Sequence, residues 1–128
     1  MSLECLSLAE DLNRTAFKLE QRESYDMAIK LYREALAIKE KNLGTNKVET
    51  IEQSGDIARV YGAKGDYKQS GQLYEQVLLS FRRLKDPGDG YITVLENYVD
   101  MLNRSNQKDK AAAILGELKR YRSEHHRS

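Results

Sequence analysis

The side chains best suited to nucleophilic or metal chemistry are one cysteine, Cys5, and two histidines, His125 and His126, at opposite ends of the chain. A Cys–His or Ser–His pair would have to join the two ends, and nothing in the sequence argues for that. No cysteine and histidine spacing typical of a zinc site is present. His125-His126 could take up a metal adventitiously, or simply form a polar tail. Cys5 reads either as a reactive thiol or as an apolar position on a first helix. Gly88-Asp89-Gly90 is too short for a phosphate cradle, and Lys64-Gly65-Asp66 reads as a turn. Acidic residues such as Glu10, near Asn13, lack a basic or metal partner that would shift a pKa. These residues predict a protein that is not an enzyme, with no cofactor and no catalytic or metal site.

Composition narrows the class further. At 128 residues the chain has the size of one domain with a real core. Charged residues make up 32% yet the net charge is +1, which gives no electrostatic case for nucleic acid or an acidic membrane surface. No apolar run approaches the length of a membrane span, and the first residues lack the pattern of a signal peptide. A single cysteine suits a reducing compartment, so the expected location is cytoplasmic.

The organisation lies in a repeat. Tyr25-Asp26-Met27-Ala28-Ile29-Lys30-Leu31-Tyr32 returns as Tyr67-Lys68-Gln69-Ser70-Gly71-Gln72-Leu73-Tyr74, an offset of 42 residues shared by Ala16 with Ala58 and Leu36 with Leu78. A fixed period of this length marks stacked supersecondary units. Within each unit the apolar spacing is helical: Ala28, Leu31, Tyr32, Ala35 and Ile38 form one stripe, and Ser70, Leu73, Tyr74 and Val77 form the next. A third copy, Ala111, Ile114, Leu115 and Leu118, follows at an offset of 41. Each of these B helices is preceded by an A helix, with stripes Leu12/Thr15/Ala16/Leu19, Ser54/Ile57/Ala58/Tyr61 and Leu95/Tyr98/Val99/Leu102.

Punctuation predicts six helices, near 3–22, 24–43, 47–64, 66–85, 90–104 and 107–124. Gly44 is a helix stop, Asn46 with Glu49 reads as a capping box, Asp66 as an N-cap, and Asp86-Pro87-Gly88-Asp89-Gly90 as the strongest turn. The short loops within pairs make antiparallel hairpins, and the hairpins stack because none can bury both of its faces alone. The expected fold is all-α: three antiparallel hairpins in a right-handed α-solenoid. Residues 1–128 form a single domain with repeats at about 3–45, 46–88 and 89–124.

The small and aromatic positions Ala16, Ala28, Tyr32 and Ala35, then Ala58, Ser70, Tyr74 and Val77, then Val99, Ala111, Leu115 and Leu118, resemble the tetratricopeptide repeat. The common repeat has about 34 residues. The longer form here, with Ala35-Leu36-Ala37-Ile38-Lys39-Glu40-Lys41-Asn42-Leu43-Gly44 closing the first B helix, is similar to the repeats of kinesin light chain and its prokaryotic relatives. Where that subfamily carries Asp-His-Pro after Leu-Gly, this chain has Thr45-Asn46-Lys47.

The resemblance implies a protein–protein interaction scaffold whose A helices line a concave face and bind a peptide or protein segment there. The residues it nominates are Asn13, Arg14, Phe17, Asp56, Arg59, Asn97, Asp100 and Asn103, with Glu10, Glu20, Glu52, Gly55, Gly62, Thr93, Glu96 and Arg104 along the same faces. Six carboxylates (Glu10, Glu20, Glu52, Asp56, Glu96, Asp100) face three arginines (Arg14, Arg59, Arg104), so the groove leans acidic. Phe17 is a candidate anchor on an otherwise polar face. Asn97 stands where kinesin light chain relatives carry an asparagine able to pair with a peptide backbone; Arg14 and Asp56 occupy the equivalent positions of the other repeats. A chaperone-type carboxylate clamp would need basic residues where Phe17, Asp56 and Thr93 stand. Two alternatives remain: a regulatory or sensor domain of a larger protein, and a self-associating module. For the second, Ile114, Leu118 and Tyr121 spread around the last helix beyond one stripe and predict a homodimer through the C-terminal hairpin.

Overall fold

The computed structural model describes residues 3–125. They form six helices, α1 (Leu3–Gln21), α2 (Tyr25–Leu43), α3 (Val48–Lys64), α4 (Tyr67–Arg82), α5 (Asp89–Arg104) and α6 (Lys108–Glu124), with no strand among the described residues. The pairs α1/α2, α3/α4 and α5/α6 are antiparallel hairpins stacked as a right-handed α-solenoid. None of these helices is long and apolar enough to cross a membrane.

The turn inside each hairpin repeats as faithfully as the helices. Glu23, Gly65 and Asn106 all take positive φ (62°, 94° and 66°). The next residue then donates its N–H back to the helix just ended: Ser24 to Leu19 (2.9 Å), Asp66 to Tyr61 (2.9 Å) and Gln107 to Leu102 (2.8 Å). This closure satisfies carbonyls that the helix end would leave bare, and it requires the left-handed region at one residue. Only the second repeat supplies glycine there.

Helix starts are less uniform. The Asp66 carboxylate accepts the Gln69 N–H at 3.2 Å, as expected of a cap. The capping box at Asn46 and Glu49 does not form. Lys47 is the N-cap of α3 without a side-chain bond, and the buried Thr50 hydroxyl turns back onto the Gly44 carbonyl at 2.8 Å.

Two clusters of buried side chains meet at α3. Ile57 and Val60 pack with Ala16, Ala28, Ile29 and Tyr32 of the first hairpin. Ile51 and Ala58 pack with the second and third. The small positions allow close helix contact: Ser70 reaches the Ala58 carbonyl with its hydroxyl at 2.7 Å, and Ala16 and Ala28 are fully buried. The repeated tyrosines fill the gap to the following hairpin. Tyr74 stacks on Tyr98 with ring centroids 4.8 Å apart.

On α5, Val94 and Met101 lie against glycines of α3. A Cβ on Gly55 would come within 3.0 Å of Val94 Cγ2, and one on Gly62 within 3.1 Å of both Met101 Cγ and Ser70 Oγ. Gly55 and Gly62 are therefore buried close-contact positions between α3 and α5.

The last hairpin corrects the self-association residues. Ile114 and Leu118 are 6% and 2% exposed and belong to the core shared with α4 and α5. Tyr121 packs edge-on against Tyr91 at 4.9 Å. Arg82 forks onto Glu117 at 3.0 and 2.7 Å, and the Tyr91 hydroxyl donates to the same carboxylate. Of the apolar positions on α6, Ile114 and Leu118 are turned inward, while Ala112, Ala113 and Leu115 are exposed. Leu115, at 36%, is its exposed large hydrophobic.

Bulk at these contacts should cost stability. Ala28→Leu and Gly62→Val are each expected to lower the unfolding free energy by about 1–3 kcal/mol in urea titrations, whereas Lys30→Ala should stay within about 0.5 kcal/mol. Equal effects would disprove the close packing. At the turns, Glu23→Gly should raise stability by about 1 kcal/mol, because it releases left-handed strain. A loss on that substitution would show that Glu23 carries a stabilising role of its own.

Candidate functional site

The A helices α1, α3 and α5 share one side of the stack, and their two junctions are built differently. Between α1 and α3 the contact is made by long polar side chains. Asn13 and Gln53 exchange amide hydrogen bonds at 2.9 and 2.8 Å, and Gln53 also donates to the Tyr32 carbonyl at 3.0 Å. One helical heptad further along, Arg59 forks onto Glu20 at 2.9 and 2.8 Å and reaches Asp56 at 2.7 Å. The Tyr32 hydroxyl donates to Glu20 at 3.0 Å. Three helices therefore meet at one guanidinium.

The Glu20 side chain is only 11% exposed. A carboxylate so placed is tolerable because its hydrogen bonds are met, and stranding it would be costly. Burial works against the charge on Arg59, but the bonds and charges of Glu20 and Asp56 prevail and hold the guanidinium firmly protonated. Burial, then the Glu20 charge, pushes the Tyr32 hydroxyl well above the ordinary phenol range.

Two hollows open on this side. One, of about 460 Å³, lies between α1 and α3 and is lined by Asn13, Arg14, Phe17, Lys18, Tyr32, Asp56 and Arg59. The other, of about 380 Å³, lies between α3 and α5 and is lined by Glu52, Gly55, Asp56, Arg59, Asp89, Gly90, Thr93, Val94 and Asn97. Asp56 and Arg59 border both, so the hollows form one groove. Phe17 stands 52% exposed in the first. In the second, the Glu52 carboxylate lies over Gly90, where a Cβ would collide with it. Burial raises the Asp56 carboxyl, against the pull of Arg59. Burial likewise raises Glu52, followed by repulsion from Asp56 and Glu49.

Of the residues nominated from the sequence, Asn13, Arg14, Phe17, Asp56, Arg59 and Asn97 come together along this groove. Arg14 is ion-paired with Asp11. Asp100 and Asn103 lie further along α5 and line neither hollow. Asp100 is paired with Arg104 at 3.3 Å, and Asn103 is exposed. Asp89 and Gly90 were read only as turn residues, yet they wall the second hollow. Their signal was present in the turn itself, since the residues opening an A helix sit at one end of the concave side.

Among the described residues, no group of three or more His, Cys, Asp or Glu side chains is placed to hold a metal ion. His125 stacks on Tyr121 with ring centroids 4.0 Å apart, and His126 lies outside the described residues. Cys5 is half-buried on α1.

A family model described as tetratricopeptide repeat matches residues 11–78, more than half of the chain. Two crystal structures of nearly identical TPR-like repeats from a proposed kinesin light chain of Podosopora anserina, one of them a substituted variant, are similar over 95% of this chain. They superpose with TM-scores of 0.77 and 0.78 at 19% identity, and the match spans 58% of each of those chains. A search of curated proteins finds no match. At this identity the structural likeness speaks for the fold alone.

The raised Glu52 carboxyl makes a pH prediction. The folded chain holds this proton to a higher pH than the unfolded chain, so ionising Glu52 costs stability. The cost is absent below the ordinary carboxylate pKa, grows as pH rises toward the raised value, and is complete above it. Glu52→Gln should therefore raise the denaturation midpoint at about pH 7 and leave it unchanged at about pH 3. A lower midpoint at neutral pH would show that the Glu52 charge is stabilising instead.

Proposed function

The chain belongs to the tetratricopeptide repeat family, and from that premise we propose that it is a non-enzymatic scaffold holding a peptide or protein segment in the groove between α1, α3 and α5. One observation carries the reading: Phe17 stands half-exposed among polar groups, on a groove continuous with the Asn97 wall. An aromatic ring held open to water in a concave surface is an anchor waiting for a partner's apolar side chain. The Asn97 side chain makes no hydrogen bond to another described residue, so its amide is available to a peptide's N–H and C=O together. Asp100 and Asn103 would extend the contact along α5. We take residues 1–128 as one domain of three repeats, working in the reducing cytoplasm that a single cysteine suits.

Photo-crosslinking tests the face. A benzophenone side chain placed at Phe17 or Asn97 should capture the cellular partner, and one at Leu79, exposed on α4, should not. The pair Phe17→Ala and Asn97→Ala should abolish capture with an unchanged melting temperature. Capture from position 79 alone would move the site off the groove.

A further inference from the structure

We propose that the groove takes an extended peptide segment that places a basic side chain in the hollow between α3 and α5 and an apolar side chain against Phe17, about three residues apart. The proposal rests on the concave-face reading above and adds the chemistry of the occupant.

Charge selects the basic half. The hollow between α3 and α5 carries Glu52, Asp56 and Asp89 against one cation, Arg59. That guanidinium is already held by Glu20 and Asp56. Neither Glu52 nor Asp89 makes an ion pair among the described residues. An acidic side chain entering here would meet only like charge, whereas an arginine or lysine would meet unneutralised carboxylates in a site partly shielded from water. Burial raises both the Glu52 and the Asp56 carboxyl, and repulsion from Asp56 and Glu49 adds to it at Glu52, so a cation entering beside them favours their charged forms. Gly55 and Gly90 line this hollow without side chains of their own, Gly55 against Val94 and Gly90 beneath the Glu52 carboxylate.

Geometry adds the apolar half. The first hollow is bordered by the Phe17 ring and the Tyr32 side chain, and it shares the Asp56 and Arg59 wall with the acidic one. The two hollows flank α3, a helix with its side chains is about 10–12 Å across, and an extended chain advances about 3.3 Å per residue. A segment crossing from one hollow to the other therefore spends about three residues between its two anchors. The Asn97 amide lies on the wall where the backbone of such a segment would pass.

The test is a backbone-amide NMR titration with three short capped glycine/serine peptides. One carries arginine and leucine three residues apart, one has glutamate in place of the arginine, and one has alanine in place of the leucine. The arginine/leucine peptide should shift the amides of Phe17, Gly55, Gly90 and Asn97. It should bind at least about tenfold more tightly than the glutamate peptide, with an affinity that falls as salt rises. In Glu52→Gln/Asp89→Asn, with a melting temperature no lower than that of the parent, the advantage should vanish. Removing the leucine, or Phe17→Ala, should weaken binding while the salt dependence remains.

Equal or tighter binding of the glutamate peptide in the groove overturns the proposed partner chemistry and leaves the groove standing. Shifts confined to α2, α4 or α6 overturn both. Absence of any shift at millimolar peptide also overturns the partner chemistry, and the crosslinking above then decides the groove separately.

Discussion

Helix α3 packs against α2, α4 and α5 and reaches α1 through the side chains of Gln53 and Arg59, and the rest of the structure follows from how it does so. Its apolar positions are shared between two cores, with Ile57 and Val60 turned to the first hairpin and Ile51 and Ala58 to the other two. That leaves little surface for α5, which approaches over Gly55 and Gly62 instead. Toward α1 the same helix offers Gln53, Asp56 and Arg59, which keep the two A helices apart at side-chain length. One junction is drawn in by the absence of side chains and the other is propped open by long ones. The groove is therefore uneven: a broad half with an exposed ring, and a narrower half floored by glycine and walled by carboxylates.

Much of this architecture was legible in the recurrence itself. An offset of 42, then 41, located six helices whose ends match the structure to within a few residues, because each stripe has to face a neighbour in every copy. The turns were only partly legible. Gly65 announces a left-handed residue, but Glu23 and Asn106 adopt the same conformation without glycine, forced by the hairpin closure they share. The capping box failed because α3 begins one residue later than Asn46 requires, and Thr50 takes over the tie to the preceding loop.

The site was legible by face and not by depth. Helical register set Asn13, Phe17, Gly55, Asp56 and Asn97 on the open side, but it gave Gly62 to the groove as well, where the chain is buried against Met101 and Ser70, since a glycine has no side chain whose direction can be read. It also overstated the outer face of α6. Ile114 and Leu118 lie on the line that repeats Leu31/Leu73 and Ala35/Val77, and that line packs inward. Leu115 is the position that repeats Tyr32 and Tyr74. Those tyrosines are buried, whereas Leu115 is exposed beside Lys119, which stands where Leu36 and Leu78 stood. Bulk and apolarity thus decline along α6 at the positions that earlier repeats use for stacking.

The acidic character of the hollow between α3 and α5 has a structural origin rather than a compositional one. The chain as a whole is nearly neutral, at +1. Yet each arginine that the A helices turn toward this side is occupied within the fold: Arg14 by Asp11, Arg59 by Glu20 and Asp56, and Arg104 by Asp100. A cation that is already paired contributes little to the field a visitor meets, while an unpaired carboxylate contributes fully. The exposed pairs are worth little to stability, and each neutralises its arginine and its carboxylate together. Glu52 and Asp89, left without partners, then set the sign of the hollow between α3 and α5. The same guanidinium that ties α1, α2 and α3 together is thus the reason the hollow beside it presents carboxylate to whatever enters.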